Sequence, residues 1–206
     1  MYDGSDVHES VLLLLALEEA GERPVLLAPD IRQGRTVDHL SAGTVEGEDR
    51  NVLCESARLG RGIVRALATV RPDELEALVI PGGYGPVVNF SGGFAMPGAA
   101  RRILPEVEPF LQHFLMERKP LGLIGLGEVP VRTLLGQEME PPSPPADPRH
   151  LRVDADRRIV HTPGFAAFTR LADVRAGIEA MVAALLRLME ERTADARTAG
   201  ETGKAG

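Results

Sequence analysis

Residues 118–129, RKPLGLIGLGEV, predict the fold of this chain. The apolar run from Leu121 to Ile124 is typical of a buried strand, and the glycine-rich turn after it leads into a helix near Val129. In α/β enzymes a strand–turn–helix unit of this kind commonly presents a Ser or Cys nucleophile, and small neighbouring residues allow the sharp bend. The turn here, GLGE at 125–128, contains neither a thiol nor a hydroxyl. The sequence therefore predicts the shape of a catalytic elbow without its nucleophile.

The segments around this unit alternate between strand and helix patterns. Strands are predicted at 24–29 (PVLLAP), 75–83 (LEALVIPGG) and 120–125 (PLGLIG), and a hairpin is predicted over 151–164. One helix is predicted from a cap at Ser5 or Asp6 to Gly21, one around Cys54, and others at 101–119, 129–136 and 173–192. Strands that alternate with helices imply an α/β fold with a mostly parallel, doubly wound sheet. Such a fold usually begins with a strand, whereas this chain begins with a helix.

The composition suits a globular domain. The chain has 206 residues, of which 44% are hydrophobic, and its formal net charge is -7. No long basic run exists to neutralise phosphates, so nucleic acid is not an expected partner. The apolar run VLLLLAL at 11–17 is too short to span a bilayer, and no membrane partner is expected. The single cysteine, Cys54, excludes an internal disulfide and predicts a cytoplasmic protein.

Residues 1–192 are predicted to form one α/β domain, and residues 193–206 a disordered tail. Residues 138–150 contain five prolines and are predicted to form a loop, because proline fits neither a helix nor a sheet interior. Its PPSPPADP run is interpreted as a spacer that replaced lost structure, with a polyproline ligand as the alternative. The last helix should pack on the sheet through apolar residues at helical spacing, which are Ile178, Met181, Val182, Leu185 and Leu188.

The motifs predict neither a metal nor a cofactor. The five histidines, at 8, 39, 113, 150 and 161, include no i, i+4 pair and no neighbouring cysteine. GLIGLG lacks the spacing of a phosphate-binding loop. Cys54 is predicted to lie in the core on an apolar helix face. His161 is near a strand end and could border a pocket, although a surface or half-buried position is the preferred prediction.

Four stretches, in the right order along the chain, resemble one family. They are YDGSDVHESV at 2–11, RNVLCESAR at 50–58, LVIPGGYG at 78–85 with NFS at 89–91, and KPLG at 119–122. On these stretches the chain resembles the ElbB-type isoprenoid biosynthesis proteins of the PfpI and class I glutamine amidotransferase-like superfamily. The resemblance covers about 2–127, resumes at RRIVHTPGF (157–165) and continues through the last helix.

This resemblance implies a flavodoxin-like fold and a glyoxalase activity that converts glyoxal to glycolate without an added cofactor. The family's bacterial members are linked to isoprenoid or carotenoid production. The resemblance also implies that Gly125, three residues after KPLG, replaces the family's cysteine nucleophile. The family's site acid matches Glu9, for which a solvated helix glutamate is the alternative. Its oxyanion donors match the backbone N–H groups of Gly83 and Leu126.

The chain departs from the family in two places. The family has a strand before YDGS that should be central in the sheet, and its loss would expose unpaired strand edges. We hypothesise that the start of this chain was placed too late and that a strand precedes Met1. Upstream DNA without an in-frame apolar strand would exclude this. The family also has a late strand–helix unit. The proline-rich segment replaces this unit at 135–150, and the loss of the unit would leave one side of the site open.

Three functions follow from these residues. The first is a divergent ElbB-like protein whose glyoxalase activity is lost or weakened, and which binds a small carbonyl or carboxylate compound. The second is a non-catalytic structural or regulatory subunit that forms a homo-oligomer or pairs with an intact homologue. The third is a weak, cofactor-independent glyoxalase that uses Glu9 alone as a general acid and base on an enediol-forming substrate.

Overall fold

The computed structural model describes residues 2–92, 102–138 and 145–202. The strands in chain order are β1 (Leu27–Ala28), β2 (Val37–Asp38), β3 (Gly43–Thr44), β4 (Arg65–Ala66), β5 (Leu78–Ile80), β6 (Leu121–Ile124), β7 (Arg152–Asp154) and β8 (Ile159–Thr162). The α-helices are α1 (Val7–Glu19), α2 (Val52–Ser56), α3 (Glu108–Met116), α4 (Val129–Leu134) and α5 (Leu171–Thr202). A 3₁₀ turn at Gly125–Glu128, called here the elbow turn, joins β6 to α4.

The main sheet has four strands in the order β5-β6-β8-β7. β5, β6 and β8 are parallel, and β7 pairs antiparallel with β8. The register places Ile80 beside Leu123 and Leu123 beside His161, so the three parallel strands end at one edge. The predicted α/β fold with a mostly parallel sheet is therefore confirmed, as is the hairpin at 151–164. The segments that leave this edge form the candidate site.

Two shorter ladders lie outside the main sheet. β1 and β4 form a parallel pair, and β2 and β3 form an antiparallel pair. The strand predicted over 24–29 is limited to Leu27–Ala28, because prolines 24 and 29 lack the N–H that a ladder needs. Within the described ranges β5 forms one edge of the four-stranded sheet, and no ladder joins it to β1. A strand ahead of Met1 stays a prediction.

The apolar core is divided between the two faces of the main sheet. Successive residues of a strand point to opposite faces, so Leu121 and Leu123 join one cluster and Ile124 joins the other. The first cluster packs the sheet against α3 and α4 through residues that include Ile80, Phe110, Phe114, Val131 and Ile159. The second packs it against α1 and α5 through residues that include Leu13, Val160, Ile178, Met181 and Leu188. All five α5 residues predicted to pack on the sheet are buried.

The helix predicted over 101–119 is shorter in the structure. It covers only Glu108–Met116, with Pro109 in its first turn, where the missing N–H costs nothing. Pro105 is one turn earlier, and a proline inside a helix removes a hydrogen bond and clashes with the preceding turn. The residues described from 102 to 107 therefore contain no α-helix.

The prediction of a disordered tail from residue 193 is wrong for the part that the structure describes. α5 continues without a break to Thr202. Thr193 Oγ1 donates to the Met189 carbonyl at 2.9 Å, and Asp195 forms an ion pair with Arg158 at the end of the hairpin. Alanine is frequent in this segment and has the highest helix propensity, which outweighs its polar composition.

The prediction that Cys54 lies in the core is also wrong. Cys54 is exposed, and Val52 is the buried residue of α2. This helix has five residues, and its cap, Asn51, accepts the Cys54 N–H at 2.9 Å. A helix of little more than one turn buries only a narrow face, so the apolar pattern around Cys54 overstated its burial.

The described residues between α4 and β7, which are 135–138 and 145–151, form no strand or helix. The remainder of the predicted proline-rich loop, 139–144, lies outside the described residues. No helix within the described ranges is long and apolar enough to cross a membrane.

Lys119 of the KPLG motif is buried, with 5% of its surface exposed. Its Nζ donates to the carbonyls of Pro72 at 3.0 Å, Asp73 at 3.3 Å and Leu75 at 2.7 Å, and lies 5.6 Å from the Phe114 ring centre. The three carbonyls belong to the turn before β5, so Lys119 fixes the entry to β5 beside the entry to β6.

Lys119→Met is expected to lower the free energy of unfolding by about 2–3 kcal/mol, because three carbonyl groups lose a charged donor. Arg187→Met removes an exposed cation of α5 and should change stability by less than about 0.5 kcal/mol. Urea unfolding of both variants checks this prediction. Equal losses in the two variants would contradict the anchoring role of Lys119.

Candidate functional site

Glu9 lies in the first turn of α1 and is held above the carboxyl ends of the parallel strands. Asp6 caps the helix, and its Oδ1 accepts the N–H groups of His8 at 3.0 Å and Glu9 at 3.1 Å. The Asp6 N–H donates to the Gly82 carbonyl at 2.9 Å and so ties the start of α1 to the segment after β5. Only 1% of the Glu9 surface is exposed. The alternative of a solvated helix glutamate is therefore wrong.

Two backbone N–H groups hold the Glu9 carboxyl. The Gly82 N–H donates to Oε2 at 2.8 Å, and the Phe165 N–H donates to Oε1 at 2.8 Å. Burial raises the pKa of Glu9 to about 7; the charge of Asp6 acts in the same direction, and the two N–H donors oppose the rise. The side chain is therefore divided between acid and carboxylate near pH 7, as a general acid and base requires.

Three glycines surround this carboxyl: Gly82, Gly125 and Gly164. A Cβ atom at Gly82 would overlap Oε2 of Glu9, and one at Gly164 would overlap Oε1. A Cβ at Gly125 would instead lie 3.7 Å from Oε1. Positions 82 and 164 therefore accommodate the carboxyl because they lack side chains, whereas a side chain at 125 would point towards it.

Gly125 begins the elbow turn with a left-handed backbone, at a φ of +49°. Glycine adopts this conformation freely, and other residues do so at a cost. A Cβ at this position would also lie 3.1 Å from the Pro163 carbonyl oxygen and 3.6 Å from the Ala166 Cβ. The structure thus brings together the predicted acid and the predicted nucleophile position.

The oxyanion role of the Gly83 and Leu126 N–H groups stays a prediction. Gly83 pairs with Ser5 in an isolated bridge, and a Cβ there would be 2.5 Å from the Asp6 nitrogen, which explains the glycine. Leu126 lies half-buried in the elbow turn. The N–H groups that the structure aims at Glu9 are those of Gly82 and Phe165, which sequence reasoning missed. One signal could have identified these two groups. They lie in similar segments, PGG at 81–83 and PGF at 163–165, each of which follows the end of a strand.

A second group of polar and charged side chains contacts the elbow turn. Glu128, 7% exposed, accepts from Arg132 Nε at 2.8 Å and forms an ion pair with Arg152. His161 Nε2 is 3.6 Å from Glu128 Oε1 and 3.4 Å from the Gly125 carbonyl oxygen. Burial lowers the pKa of His161 to about 4, so its ring is neutral at pH 7. This group ties the elbow turn to the β7–β8 hairpin.

The preferred prediction of a surface or half-buried His161 is wrong, because β8 is an inner strand and His161 is 9% exposed. Sequence reasoning also missed Glu128, Arg132 and Arg152; the i, i+4 spacing of the first two was a signal. Within the described ranges, no group of three or more His, Cys, Asp or Glu side chains could hold a metal ion.

The raised pKa of Glu9 predicts a pH-dependent stability. The protonated form is favoured in the folded state, so this stabilisation is complete below pH 4.5 and is lost as the pH rises to about 7. The expected loss is about 3 kcal/mol. His161 acts oppositely, because its lowered pKa gives stability that is present above pH 6.5 and lost as the pH falls to about 4.

The difference in unfolding free energy between wild type and Glu9→Gln isolates the glutamate, because His161 is common to both proteins. This difference, measured in urea from pH 4 to pH 8, should fall as the pH rises. A difference that is flat or rises with pH would contradict the raised pKa of Glu9.

No family model matches the chain. The chain is 33% identical over 213 residues to the human (Homo sapiens) glutamine amidotransferase-like class 1 domain-containing protein 3, mitochondrial, covering 91% of this chain and 79% of that protein. It is also 33% identical to the ES1 protein homolog, mitochondrial, of Rattus norvegicus, covering 91% and 80%. The crystal structure of an isoprenoid biosynthesis protein with an amidotransferase-like domain from Ehrlichia chaffeensis matches with a TM-score of 0.80 and 30% identity, over 90% of this chain and 93% of that chain.

The chain belongs to the ElbB-like family of class 1 glutamine amidotransferase-like proteins. The resemblance drawn from the four sequence stretches is thereby confirmed. A ThiJ/PfpI domain protein from Brachyspira murdochii, at 17% identity and a TM-score of 0.52, shares the fold with this ElbB-like chain. The flavodoxin-like, PfpI-type fold is therefore confirmed as well.

The expected cytoplasmic localisation is contradicted. The human, rat and Danio rerio relatives of this ElbB-like chain are all named as mitochondrial proteins, and this finding overturns the expectation. The expectation rested on a single cysteine, which excludes a disulfide within the chain but does not identify a compartment.

Proposed function

We propose that this ElbB-like chain has lost the covalent glyoxalase chemistry implied by its sequence resemblance and binds a small carbonyl compound beside Glu9. The observation that supports this is the position of Gly125, where a Cβ would lie 3.7 Å from Glu9 Oε1 and glycine supplies no side chain. Without a nucleophile, no bond to a carbonyl carbon forms at this residue. The rate then falls to what binding and electrostatics provide.

The surroundings of Glu9 favour a neutral carbonyl compound over a carboxylate. Asp6 is close enough to raise the pKa of Glu9, so an added anion would face two carboxyl groups and be repelled. A carbonyl oxygen, in contrast, can accept a hydrogen bond from the protonated form of Glu9, which is well populated at pH 7 because the pKa is about 7.

Two measurements test this function. Purified wild-type protein should convert glyoxal to glycolate no faster than buffer. In a titration with hydroxyacetone, the amide NMR signals of Gly82 and Phe165 should shift, since both groups donate to Glu9. Acetate at the same concentration should leave these two signals in place. Enzymatic glyoxal turnover, or signals that move with acetate and not with hydroxyacetone, would contradict the proposal.

A weak glyoxalase that uses Glu9 as general acid and base is the second candidate. The pKa of about 7 at Glu9 favours it, because this value matches a group that both gives and takes a proton near neutral pH. Glyoxal turnover above buffer, abolished by Glu9→Gln and with a pH midpoint near 7, would replace the first proposal with this one. No turnover above buffer removes it.

A self-associating regulatory subunit is the third candidate, and the outer face of α1 favours it. Val7, Val11 and Leu15 follow at i, i+4 and i+8, and their exposed fractions are 54%, 51% and 43%. An apolar stripe of this kind on a surface helix is typical of a contact with another protein. Sedimentation should show a wild-type homo-oligomer that Val11→Glu converts to monomer; a wild-type monomer would remove this candidate.

A further inference from the structure

The position that a side chain of Gly125 would occupy has polar atoms on two sides. A Cβ atom there would lie 3.1 Å from the Pro163 carbonyl oxygen and 3.7 Å from Glu9 Oε1. The third near atom, the Ala166 Cβ at 3.6 Å, is apolar. A small molecule bound beside Gly125 therefore contacts two oxygen atoms and one methyl group.

The Pro163 carbonyl can accept a hydrogen bond from such a molecule. It accepts the Ala166 N–H at 3.1 Å, and a carbonyl oxygen has a second lone pair for another donor. A ligand hydroxyl near the Gly125 Cβ position would lie within hydrogen-bonding reach of this oxygen. A simple ketone has no donor, so it would cover the oxygen without bonding to it, which costs free energy.

Glu9 provides the complementary partner, a donor. Each oxygen of its carboxyl accepts one backbone N–H, from Gly82 and from Phe165. The protonated carboxyl has in addition one O–H donor, and this form is well populated at pH 7 because the pKa is about 7. A donor and an acceptor thus lie around the same point, and they suit a ligand that has one acceptor and one donor.

The two groups of the ligand must be close together, because the space beside Gly125 is narrow. Glu9 is 1% exposed, Gly125 is buried, and the Ala166 methyl group limits the opposite side. A small compound with both groups has its carbonyl and its hydroxyl on adjacent carbon atoms.

We propose that the Glu9 site selects α-hydroxycarbonyl compounds. The carbonyl oxygen of the ligand accepts a hydrogen bond from the Glu9 carboxyl, and its hydroxyl donates to the Pro163 carbonyl. Ala166 limits the length of the ligand. This inference rests on the proposed function, which specifies only a small neutral carbonyl compound, and it adds the hydroxyl as the group that the site recognises.

NMR titration of the whole chain with hydroxyacetone and with butanone tests the role of the hydroxyl. Butanone has a methyl group where hydroxyacetone has the hydroxyl and is otherwise the same molecule. The amide signals of Gly82 and Phe165 give both affinities, since these groups donate to Glu9. Hydroxyacetone should bind at least about threefold more tightly, as expected for one additional hydrogen bond. Non-specific contact would instead favour butanone, which is the more apolar compound.

The limit set by Ala166 is tested with ethyl hydroxymethyl ketone, which is one methylene longer than hydroxyacetone. Wild type should bind it at least about threefold more weakly than hydroxyacetone, because the added carbon overlaps the Ala166 methyl group. Ala166→Gly should reduce this difference to less than about twofold. Ala167→Gly, the neighbouring substitution in the same turn, should leave the difference as in wild type.

The outcomes separate this inference from the proposed function. Equal binding of hydroxyacetone and butanone, or tighter binding of butanone, would overturn the selection of a hydroxyl and leave the preference for a neutral carbonyl intact. A difference between the two hydroxyketones that persists in Ala166→Gly would overturn the placement of the ligand beside Ala166. Signals of Gly82 and Phe165 that move with neither hydroxyacetone nor butanone would overturn both proposals.

Discussion

Gly164→Ala is expected to lower the free energy of unfolding by at least about 3 kcal/mol. The φ of Gly164 is +53°, a conformation that costs an L-residue about 1–2 kcal/mol. The added methyl group would also overlap Glu9 Oε1 and come within 2.8 Å of Ile124 Cγ2. Glu9 cannot move away easily, because two N–H groups hold its carboxyl in a closely packed site.

Gly136→Ala is the matched control for this substitution. Gly136 has a φ of +64°, but a Cβ there would meet no atom within 4 Å. Its expected loss is therefore the backbone strain alone, about 1–2 kcal/mol. Urea unfolding of both variants separates strain from overlap. Equal losses would mean that Gly164 is required by its backbone and not by the Glu9 carboxyl.

Glu9→Ala is expected to destabilise the fold by about 3–5 kcal/mol. The substitution leaves the buried N–H groups of Gly82 and Phe165 without their acceptor and empties a closely packed space. Above pH 7 the loss is smaller, because Glu9 of the wild type is then a buried carboxylate that itself destabilises the fold. The measured loss should therefore be larger at pH 5 than at pH 8.

Glu18→Ala on the same helix provides the comparison for Glu9→Ala. Glu18 is exposed, so its replacement should change the free energy of unfolding by less than about 0.5 kcal/mol. A Glu9→Ala loss as small as that of Glu18→Ala would mean that the two N–H groups find other acceptors. The carboxyl would then not be the centre around which the strand ends are arranged.

The strands and the hairpin that have a regular hydrophobic pattern could be predicted from the sequence. β5 and β6 are apolar runs with clear ends, and the hairpin has a polar turn between two alternating segments. The pattern of α1 was less informative, because Val11 to Leu17 is apolar on all sides and does not show which side is buried. Glu9 was identified from the family resemblance. Its burial could not be predicted, because the segments that cover its carboxyl follow β5 and β8 and are distant from α1 in sequence.

The group that contacts the elbow turn could not be predicted, because its members come from distant parts of the chain. Glu128 and Arg152 are 24 residues apart in the sequence. His161 is on β8, which pairs with β6, the strand that leads into the elbow turn. No local periodicity links such residues; only the sheet register brings them together. The same reason applies to β4, whose two-residue ladder with β1 is set by tertiary contacts and not by local propensity.

Glyoxal turnover by Gly125→Cys tests most directly whether the site keeps its acid, Glu9, and lacks only the nucleophile. The assay uses a Cys54→Ser background, because Cys54 is exposed and would add a second thiol. Gly125→Ala carries the same backbone strain without a thiol and is the matched control. We expect Gly125→Cys to exceed wild type and Gly125→Ala by at least about tenfold, because covalent catalysis is restored beside Glu9. A folded Gly125→Cys protein no more active than Gly125→Ala would contradict the account, as would a wild type that is already as active as Gly125→Cys.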